Sequence, residues 1–248
     1  MSSAKTFYTI CDSHLSKIYV EKFLYRRIIL ISNFITSLFK MLHGAIFDAD
    51  GTLLNSMHIW KELGARYLQS LNIEPEEKLS SILYPMSLER SSLYLQKRYN
   101  LKFSPEEIQR GFLEIIEGFY VNEVELKPGV RDLLESLKRK NIPMVIATSG
   151  NRNLLQAALT RNNINQYFSK IFTCSELNTN KHEPKIFLAC AEFLRLKPEA
   201  IAVFEDSLFA IRTAKAAGFF TVGIEDKSNI IEREAIQNES DFYSKNFI

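Results

Sequence analysis

The stretch "AIFDADGTLL", residues 45–54, is the most informative part of this sequence. An apolar run leads into two aspartates, Asp48 and Asp50, and a Gly-Thr pair follows at once. Short apolar runs that are bounded by turn residues are typical of strands buried on both faces. We therefore predict a strand from His43 to Asp48, with both carboxylates at its carboxyl end.

The rest of the chain repeats this pattern. Four further apolar runs occupy residues 142–149, 170–175, 200–206 and 219–224. Amphipathic stretches separate the runs, and they predict helices at residues 128–141, 151–163, 183–196 and 207–218. Alternating strands and helices predict an α/β fold, in which a parallel sheet is flanked by helices on both faces.

One region, residues 56–127, breaks the alternation because it contains no convincing strand. Its sequence predicts helices at 56–72, 87–100 and 104–124, the last with Ser104 as its N-cap and Pro105 in its first turn. An insertion after the first strand lies above the carboxyl ends of the sheet, where ligands bind. We expect an α-helical cap domain at 56–127, inserted into a core formed by 41–55 and 128–248.

Residues 1–40 differ from the rest of the chain in charge. They hold six Lys/Arg and two acidic residues, whereas the remainder is slightly acidic. A slightly acidic body predicts no nucleic-acid partner. The uncharged run from Ile28 to Phe39 is shorter than the roughly 20 residues that a spanning helix needs. We expect an N-terminal extension of uncertain structure, and the alternative is an amphipathic helix at 18–39 that lies on a membrane.

The three cysteines, Cys11, Cys174 and Cys190, show no spacing typical of a zinc site or of a redox pair. Their odd number fits a reducing compartment, and we expect a cytoplasmic protein. Cys174 and Cys190 are expected to be small buried apolar residues. We also expect a monomer.

The two aspartates have the chemistry of a catalytic pair. A carboxylate such as Asp48 is a usable nucleophile, and Asp50 is placed for general acid–base catalysis. The turn at Gly51-Thr52 is expected to direct backbone N–H groups towards a phosphate. Glu205-Asp206, at the end of a later strand, complete an all-oxygen site suited to Mg²⁺.

Other strand ends supply groups that bind phosphate. Thr148 and Ser149 end the second predicted strand, where a hydroxyl and the N–H groups of the next helix are donors. Lys181 precedes a helix and is expected to stabilise charge on the transferring group, although Lys185 is an equal rival by residue type. Each residue alone also has an ordinary role as a helix cap or a solvated side chain. Their joint occurrence at strand ends favours a catalytic site.

These motifs resemble those of the haloacid dehalogenase superfamily. "DADGTL" at 48–53, Thr148, Lys181 and "ED" at 205–206 follow that family's pattern in order, and the resemblance covers roughly residues 42–226. It is strongest to the branch with a helical cap, which contains the β-phosphoglucomutase-like phosphatases. The sequence departs from that branch at Asn55, where Asp is frequent, at "KHEPK" (181–185), where "KPxPD" is frequent, and at Ala210, where Gly is common.

The resemblance implies a Rossmann-like core with a mobile cap and a role for each motif residue. It implies that Asp48 is phosphorylated, that Asp50 is the acid and base, and that Thr148 and Lys181 hold the phosphate. It also implies that Mg²⁺ is held by the carboxylates of Asp48, Glu205 and Asp206 and by the backbone carbonyl of Asp50.

The choice of reaction depends on Asp50 and on the cap. A halide leaving group needs no proton, so Asp50 favours phosphoryl transfer over dehalogenation. A mutase must hold a second phosphate with clustered basic residues, and residues 81–95 of the cap offer only Arg90. We therefore predict a Mg²⁺-dependent phosphatase of a small phosphorylated metabolite, such as a sugar phosphate or a nucleotide monophosphate.

Two alternatives stay open: a phosphomutase of the β-phosphoglucomutase type, and a phosphate-binding protein without activity. The candidates for lining the substrate pocket, unless they form the core of the cap, are Trp60, Tyr67, Met86 and Arg90.

Overall fold

Six parallel strands form one sheet, and their carboxyl ends share one edge. The structure is a computed structural model that describes residues 42–247. The strands are β1 (Gly44–Phe47), β2 (Met144–Thr148), β3 (Phe168–Thr173), β4 (Ile201–Glu205), β5 (Phe220–Ile224) and β6 (Phe242–Ser244). They pair in the order β3-β2-β1-β4-β5-β6. This arrangement confirms the predicted parallel α/β fold.

Helices connect the strands. In chain order they are α1 (Ile59–Ser70), α2 (Leu79–Leu83), α3 (Leu88–Tyr99), α4 (Pro105–Asn122), α5 (Val130–Arg139), α6 (Arg152–Arg161), α7 (Lys185–Leu194), α8 (Leu208–Ala216) and α9 (Arg233–Glu239). Helices α1 to α4 all lie between β1 and α5 in the chain, as the helical interruption at 56–127 predicts. The boundaries of a separate cap domain stay a prediction.

Strand β1 lies in the middle of the sheet because it is apolar on both faces. It pairs with β2 on one side and with β4 on the other. Phe47 is fully buried and stacks on Phe204 of β4, with 4.4 Å between ring centroids. The N–H of Asp48 donates to the carbonyl of Phe204 at 2.9 Å. The pairing thus brings Asp48 to the centre of the carboxyl edge, beside the end of β4.

The two chain segments that join α1–α4 to the sheet run side by side. Leu54 and Leu126 form an antiparallel bridge. The N–H of Asn55 donates to the carbonyl of Glu125, and the N–H of Lys127 donates to the carbonyl of Leu53, each at 2.9 Å. The outgoing and returning linkers are therefore held at one place next to the end of β1.

Local sequence signals explain the longest helix, α4. Ser104 accepts a hydrogen bond from the N–H of Glu107, and the carboxylate of Glu107 accepts one from the N–H of Ser104. This capping box satisfies two N–H groups that the first turn would otherwise leave without partners. The prediction of Ser104 as the N-cap is confirmed.

The sequence analysis did not predict helices α2 and α9, strand β6, or three 3-10 helices, which are Asn165–Tyr167, Pro198–Ala200 and Lys227–Asn229. Helix α1 also begins at Ile59 rather than at residue 56. The predicted extension at 1–40 and the membrane-surface alternative at 18–39 lie outside the described residues. Within residues 42–247, no helix combines the length and the apolar character that crossing a membrane requires. Cys174 and Cys190 are free and buried, as predicted.

Candidate active site

A buried cluster of three acids and one lysine lies where β1 and β4 end. Asp48 follows β1, and Glu205 and Asp206 stand at the end of β4; all three are buried. Lys181, in the loop before α7, donates to the carboxylate of Asp48 and to Oε2 of Glu205, the latter at 2.8 Å. Its rival by residue type, Lys185, is exposed in the first turn of α7. The structure thus places Lys181, and not Lys185, beside Asp48.

The cluster holds three carboxyl groups and one ammonium group, and both burial and the neighbouring acids shift their pKa values. Burial, followed by the charge of Glu205, raises the pKa of Asp48. The same two causes raise the pKa of Asp206 well above its ordinary value. Burial alone would lower the pKa of Lys181, but the charges of Asp48 and Glu205 outweigh it and raise that pKa. A further positive charge would therefore be stabilised here.

The cluster suits a hard divalent cation. One carboxylate oxygen from each of Asp48, Glu205 and Asp206 lies within 4.8 Å of the others. A buried set of oxygen donors is the chemistry that Mg²⁺ and Ca²⁺ prefer. Gly51 has φ +85°, and a Cβ atom at this position would overlap the carboxylate of Asp206. The glycine therefore allows the turn after β1 to pass close to this acid.

A second group of contacts supports Asp206. The side-chain amide of Asn229 donates to Oδ2 of Asp206 at 2.8 Å and to its backbone carbonyl at 3.1 Å. Outer hydrogen bonds of this kind fix the orientation of a carboxylate and tune any metal that it binds. Sequence analysis missed Asn229 because it lies in a three-residue 3-10 helix, Lys227–Asn229, 23 residues after Asp206.

Two hydroxyl groups hold the second aspartate of the motif, Asp50. Ser56 Oγ and Tyr120 Oη both donate to Oδ1 of Asp50, at 2.6 Å and 2.5 Å. Ser56 follows the outgoing linker, and Tyr120 comes from the last turn of α4. Burial, followed by the charge of Asp50, raises the pKa of Tyr120, so this phenol remains a donor. Sequence analysis assigned a role to neither hydroxyl.

The residues predicted to donate to phosphate, Thr148 and Ser149, contact other protein groups in the structure. Thr148 is buried, and its Oγ1 accepts from the N–H of Gly150 at 2.9 Å. Ser149 is exposed, with its Oγ 3.5 Å from Sγ of Cys174. Asn151 caps α6 by accepting from the N–H groups at the start of the helix. The side-chain cap therefore engages backbone donors that were expected to face a phosphate.

The N–H of Gly51, which was expected to donate to a phosphate, has a partner within the protein. The N–H of Gly51 donates to the carbonyl of Leu54 at 3.0 Å. This N–H closes the turn and is therefore not a free donor for phosphate, while the expectation for the N–H of Thr52 stays a prediction. A tight turn must satisfy its own backbone groups when it is buried, and this requirement decides the direction of the N–H.

A second buried lysine, Lys127, was not anticipated. Its Nζ donates to the carbonyls of Gly51 and Glu225, each at 2.6 Å, and to Oδ2 of Asp226 at 2.9 Å. Lys127 thus joins the returning linker, the turn after β1 and the segment after β5. Burial would raise the pKa of Asp226, but the hydrogen bonds from Lys127 and Ser228, together with the charge of Lys127, outweigh it and lower that pKa.

The candidates for the substrate pocket fall in different places. Tyr67 is buried against the ring of Phe112, with 5.3 Å between centroids, so it belongs to the core among the inserted helices. Trp60 and Met86 line a cavity of about 80 Å³. Arg90 is exposed in the first turn of α3 and does not line that cavity.

A buried carboxylate cluster with a lysine, at the carboxyl edge of a parallel sheet, defines an α/β enzyme. Residues 45–224 match the family model of haloacid dehalogenase-like hydrolases, and the chain belongs to this family. The resemblance inferred from "DADGTL", Thr148, Lys181 and "ED" is therefore confirmed.

Known relatives include several phosphatases. A phosphorylated carbohydrates phosphatase from Thermotoga maritima is 28% identical over 177 residues, which are 71% of this chain and 82% of the relative. A fructose-1-phosphate phosphatase from Escherichia coli is 26% identical over 193 residues, 73% of this chain and 95% of the relative.

Among solved structures, a protein from Thermotoga maritima that is provisionally assigned as a β-phosphoglucomutase aligns with a TM-score of 0.74 at 25% identity. The alignment covers 82% of this chain and 94% of that one. CbbY from Rhodobacter sphaeroides, in complex with phosphate, aligns with a TM-score of 0.62 at 21% identity and supports the fold alone.

Proposed function

We propose that this protein is a Mg²⁺-dependent phosphatase that hydrolyses a small phosphorylated metabolite through an aspartyl-phosphate intermediate. The observation that carries the proposal is the buried cluster in which Lys181 contacts Asp48 and Glu205 beside Asp206. Asp50, the proposed acid and base, follows Asp48 by two residues, and a Cβ atom built on Gly150 would lie 2.9 Å from its Oδ2 and 3.2 Å from Oγ1 of Thr148.

In the first step, a carboxylate oxygen of Asp48 bonds to phosphorus and the ester P–O bond breaks. The leaving oxygen keeps the electron pair of that bond and takes the proton of Asp50. Asp50, now ionised, then removes a proton from the water that hydrolyses the acyl phosphate, and Asp48 is released. Mg²⁺, held by Asp48, Glu205, Asp206 and the backbone carbonyl of Asp50, would neutralise charge between the nucleophile and the phosphate.

Lys181 is the proposed phosphate ligand that contacts the acid cluster directly. Lys181 has three N–H donors, and two of them contact Asp48 and Glu205. Within residues 42–247 the third has no partner, so it is available to a phosphate oxygen. Thr148 and Ser149 supply hydroxyl groups at the end of β2. Arg90 remains a candidate for contact with the rest of the substrate.

A phosphorylated sugar is the substrate class that we favour, because relatives are named for phosphorylated carbohydrates and for fructose 1-phosphate. A phosphomutase is the second candidate, since the solved relative from Thermotoga maritima carries that provisional assignment. Arg90 is the only basic residue in 81–95, and a single arginine gives weak support for a second phosphate site. A cytoplasmic monomer stays a prediction.

The test is phosphate release from a panel of sugar phosphates and nucleotide monophosphates, with Mg²⁺ or with EDTA. We expect Mg²⁺-dependent release, which Asp48→Asn abolishes because the nucleophile is lost. Asp132→Asn, at an exposed aspartate in α5, is the matched control and should keep full activity.

The panel also separates the alternatives. Conversion of β-glucose 1-phosphate to glucose 6-phosphate without free phosphate would favour the mutase. Release that is the same for Asp48→Asn and for the wild type would contradict the aspartyl-phosphate mechanism. The absence of turnover for the whole panel, combined with tight binding of phosphate, would favour the non-catalytic alternative.

A further inference from the structure

The two oxygens of Asp50 have different surroundings. Oδ1 accepts hydrogen bonds from both Ser56 and Tyr120. A carboxylate oxygen has about two lone-pair sites, so two O–H donors occupy the acceptor capacity of Oδ1. When Asp50 carries a proton, that proton therefore belongs on Oδ2.

Oδ2 faces the loop that follows β2. A Cβ atom built on Gly150 would lie 2.9 Å from Oδ2 of Asp50 and 3.2 Å from Oγ1 of Thr148. Any side chain at position 150 would fill the space next to Oδ2. The free oxygen of Asp50 thus faces the same small space as the hydroxyl of Thr148, a proposed phosphate ligand.

The two donors differ in how firmly they can hold Oδ1. Ser56 is six residues from Asp50, in the outgoing linker, and its small side chain has a freely rotating hydroxyl. Tyr120 comes from 70 residues away in the chain. Its ring is buried and packs edge-on against Phe119, with 5.7 Å between centroids. Packing therefore fixes the position of the phenol oxygen.

We propose that Tyr120 is a positioning residue that, together with Ser56, holds Oδ1 of Asp50 so that Oδ2 alone exchanges the catalytic proton. The inference deepens the proposed phosphatase function and depends on it. Tyr120 touches neither phosphorus nor the leaving oxygen, and it acts only through Asp50.

The inference predicts a dependence on the leaving group. The ratio kcat/KM reports the steps up to the first irreversible one, which includes departure of the leaving group. A p-nitrophenolate ion leaves without a proton, whereas a phenolate ion leaves more easily when an acid protonates it. The loss of Tyr120 should therefore slow phenyl phosphate more than p-nitrophenyl phosphate, although the two esters have similar shapes.

The experiment measures kcat/KM of Tyr120→Phe for both esters with saturating Mg²⁺. We expect about a tenfold loss for phenyl phosphate and less than about a twofold loss for p-nitrophenyl phosphate, a fraction of the 10²–10⁴ that acid–base catalysis supplies. The matched control is Tyr94→Phe, because Tyr94 also donates from an inserted helix to a carboxylate, that of Glu76. It should change neither value. Ser56→Ala should show the same selective loss to a smaller degree.

Equal losses of kcat/KM for the two esters would show a general structural role and overturn the inference, as would unchanged values for phenyl phosphate. Both results leave the proposed function intact, because the wild type still hydrolyses the esters. A wild type that releases no phosphate from either ester, nor from the metabolite panel, would instead overturn the proposed function and the inference with it.

Discussion

Two buried lysines, Lys127 and Lys181, both contact the "DADGTL" motif, but their ammonium groups have different partners. Lys127 is 8% exposed and Lys181 is 4% exposed. Lys127 donates to two backbone carbonyls and to the carboxylate of Asp226. Lys181 donates to two carboxylates, those of Asp48 and Glu205.

The difference lies in the balance of charges and donors. One acid balances the charge of Lys127, and all three of its N–H donors are used, so nothing remains for a ligand. Lys181 faces an excess of acids and keeps one N–H donor without a partner among the described residues. An ammonium group whose three donors are all used stabilises the fold. An ammonium group with a free donor, beside carboxyl groups whose pKa values are raised, is suited to binding a substrate.

The largest expected effect comes from removing the lysine of the acid cluster. Lys181→Met should lower kcat/KM by about 10²- to 10³-fold, as expected for the loss of one charge-stabilising donor. Lys185→Met, at the exposed rival in α7, is the control and should stay within about twofold of the wild type. Phosphate release with Mg²⁺ measures both. Equal losses of kcat/KM in the two variants would contradict a special role for Lys181 in binding the substrate.

Replacing the other buried lysine, Lys127, should lower the stability of the protein. Lys127→Met leaves Oδ2 of Asp226 and the carbonyls of Gly51 and Glu225 without the donor that Lys127 supplies. Breaking a buried ion pair costs about 3–5 kcal/mol. Urea unfolding should show a fall of this size in the free energy of unfolding. Lys102→Met, at an exposed lysine before α4, should show almost none. A stable Lys127→Met protein would mean that Lys127 is not the structural member of the pair.

Metal binding should stabilise the protein through the acid cluster. Mg²⁺ at about 100 times its Kd should raise the free energy of unfolding by about 2.7 kcal/mol. Because the pKa values of Asp48 and Asp206 are raised, protons stabilise the metal-free fold at low pH and leave as pH rises. Mg²⁺ competes with those protons, so its effect should grow as pH rises from about 5.5 to 8. Thermal melting with Mg²⁺ and with EDTA measures it, and a constant increment would contradict the assigned site.

The smallest expected effect concerns Asp226, the acid that pairs with Lys127, and it tests whether this ion pair contributes to stability. The pKa of Asp226 is lowered in the fold, so the ionised pair contributes stability above the ordinary Asp value, about 3.9, and loses it as pH falls through the lowered pKa. Asp226→Asn should therefore reduce the free energy of unfolding by about 1–2 kcal/mol at pH 7, and the difference should shrink as pH falls through the lowered pKa of Asp226. Asp132→Asn should show no such dependence in the same urea series.

The strands and the motif acids could be predicted because their signals are local. Each of the five predicted strands is an apolar run that ends near a polar or turn residue, and its observed ends lie within about two residues of the prediction. Strand β6 has only three residues, all half-buried at the edge of the sheet. Such a segment carries too little periodicity to be distinguished from a loop.

The side chains that orient the site could not be predicted because their partners are distant in the chain. Tyr120 sits on the apolar face of α4, where the helical pattern treats any aromatic residue as core. Lys127 directly precedes a Pro-Gly turn, where a lysine is ordinarily solvated. Tyr120 and Lys127 acquire their roles only because the fold brings them next to Asp50 and Asp226. A single sequence does not show which distant residues become neighbours. The roles proposed for Thr148, Ser149 and Arg90 stay predictions.

The paired linkers at Leu54 and Leu126 have a consequence for how such a protein can change. The inserted helices leave and re-enter the sheet through adjacent backbone positions. The two ends of this insertion lie next to each other. Lengthening or shortening it therefore changes the stability of the sheet little, because the entropic cost of loop closure grows only with the logarithm of loop length. We therefore expect that the segment between these linkers can be exchanged without disturbing the sheet. A shorter or differently shaped insert could be grafted there, giving a new selectivity while the sheet and its acids stay in place.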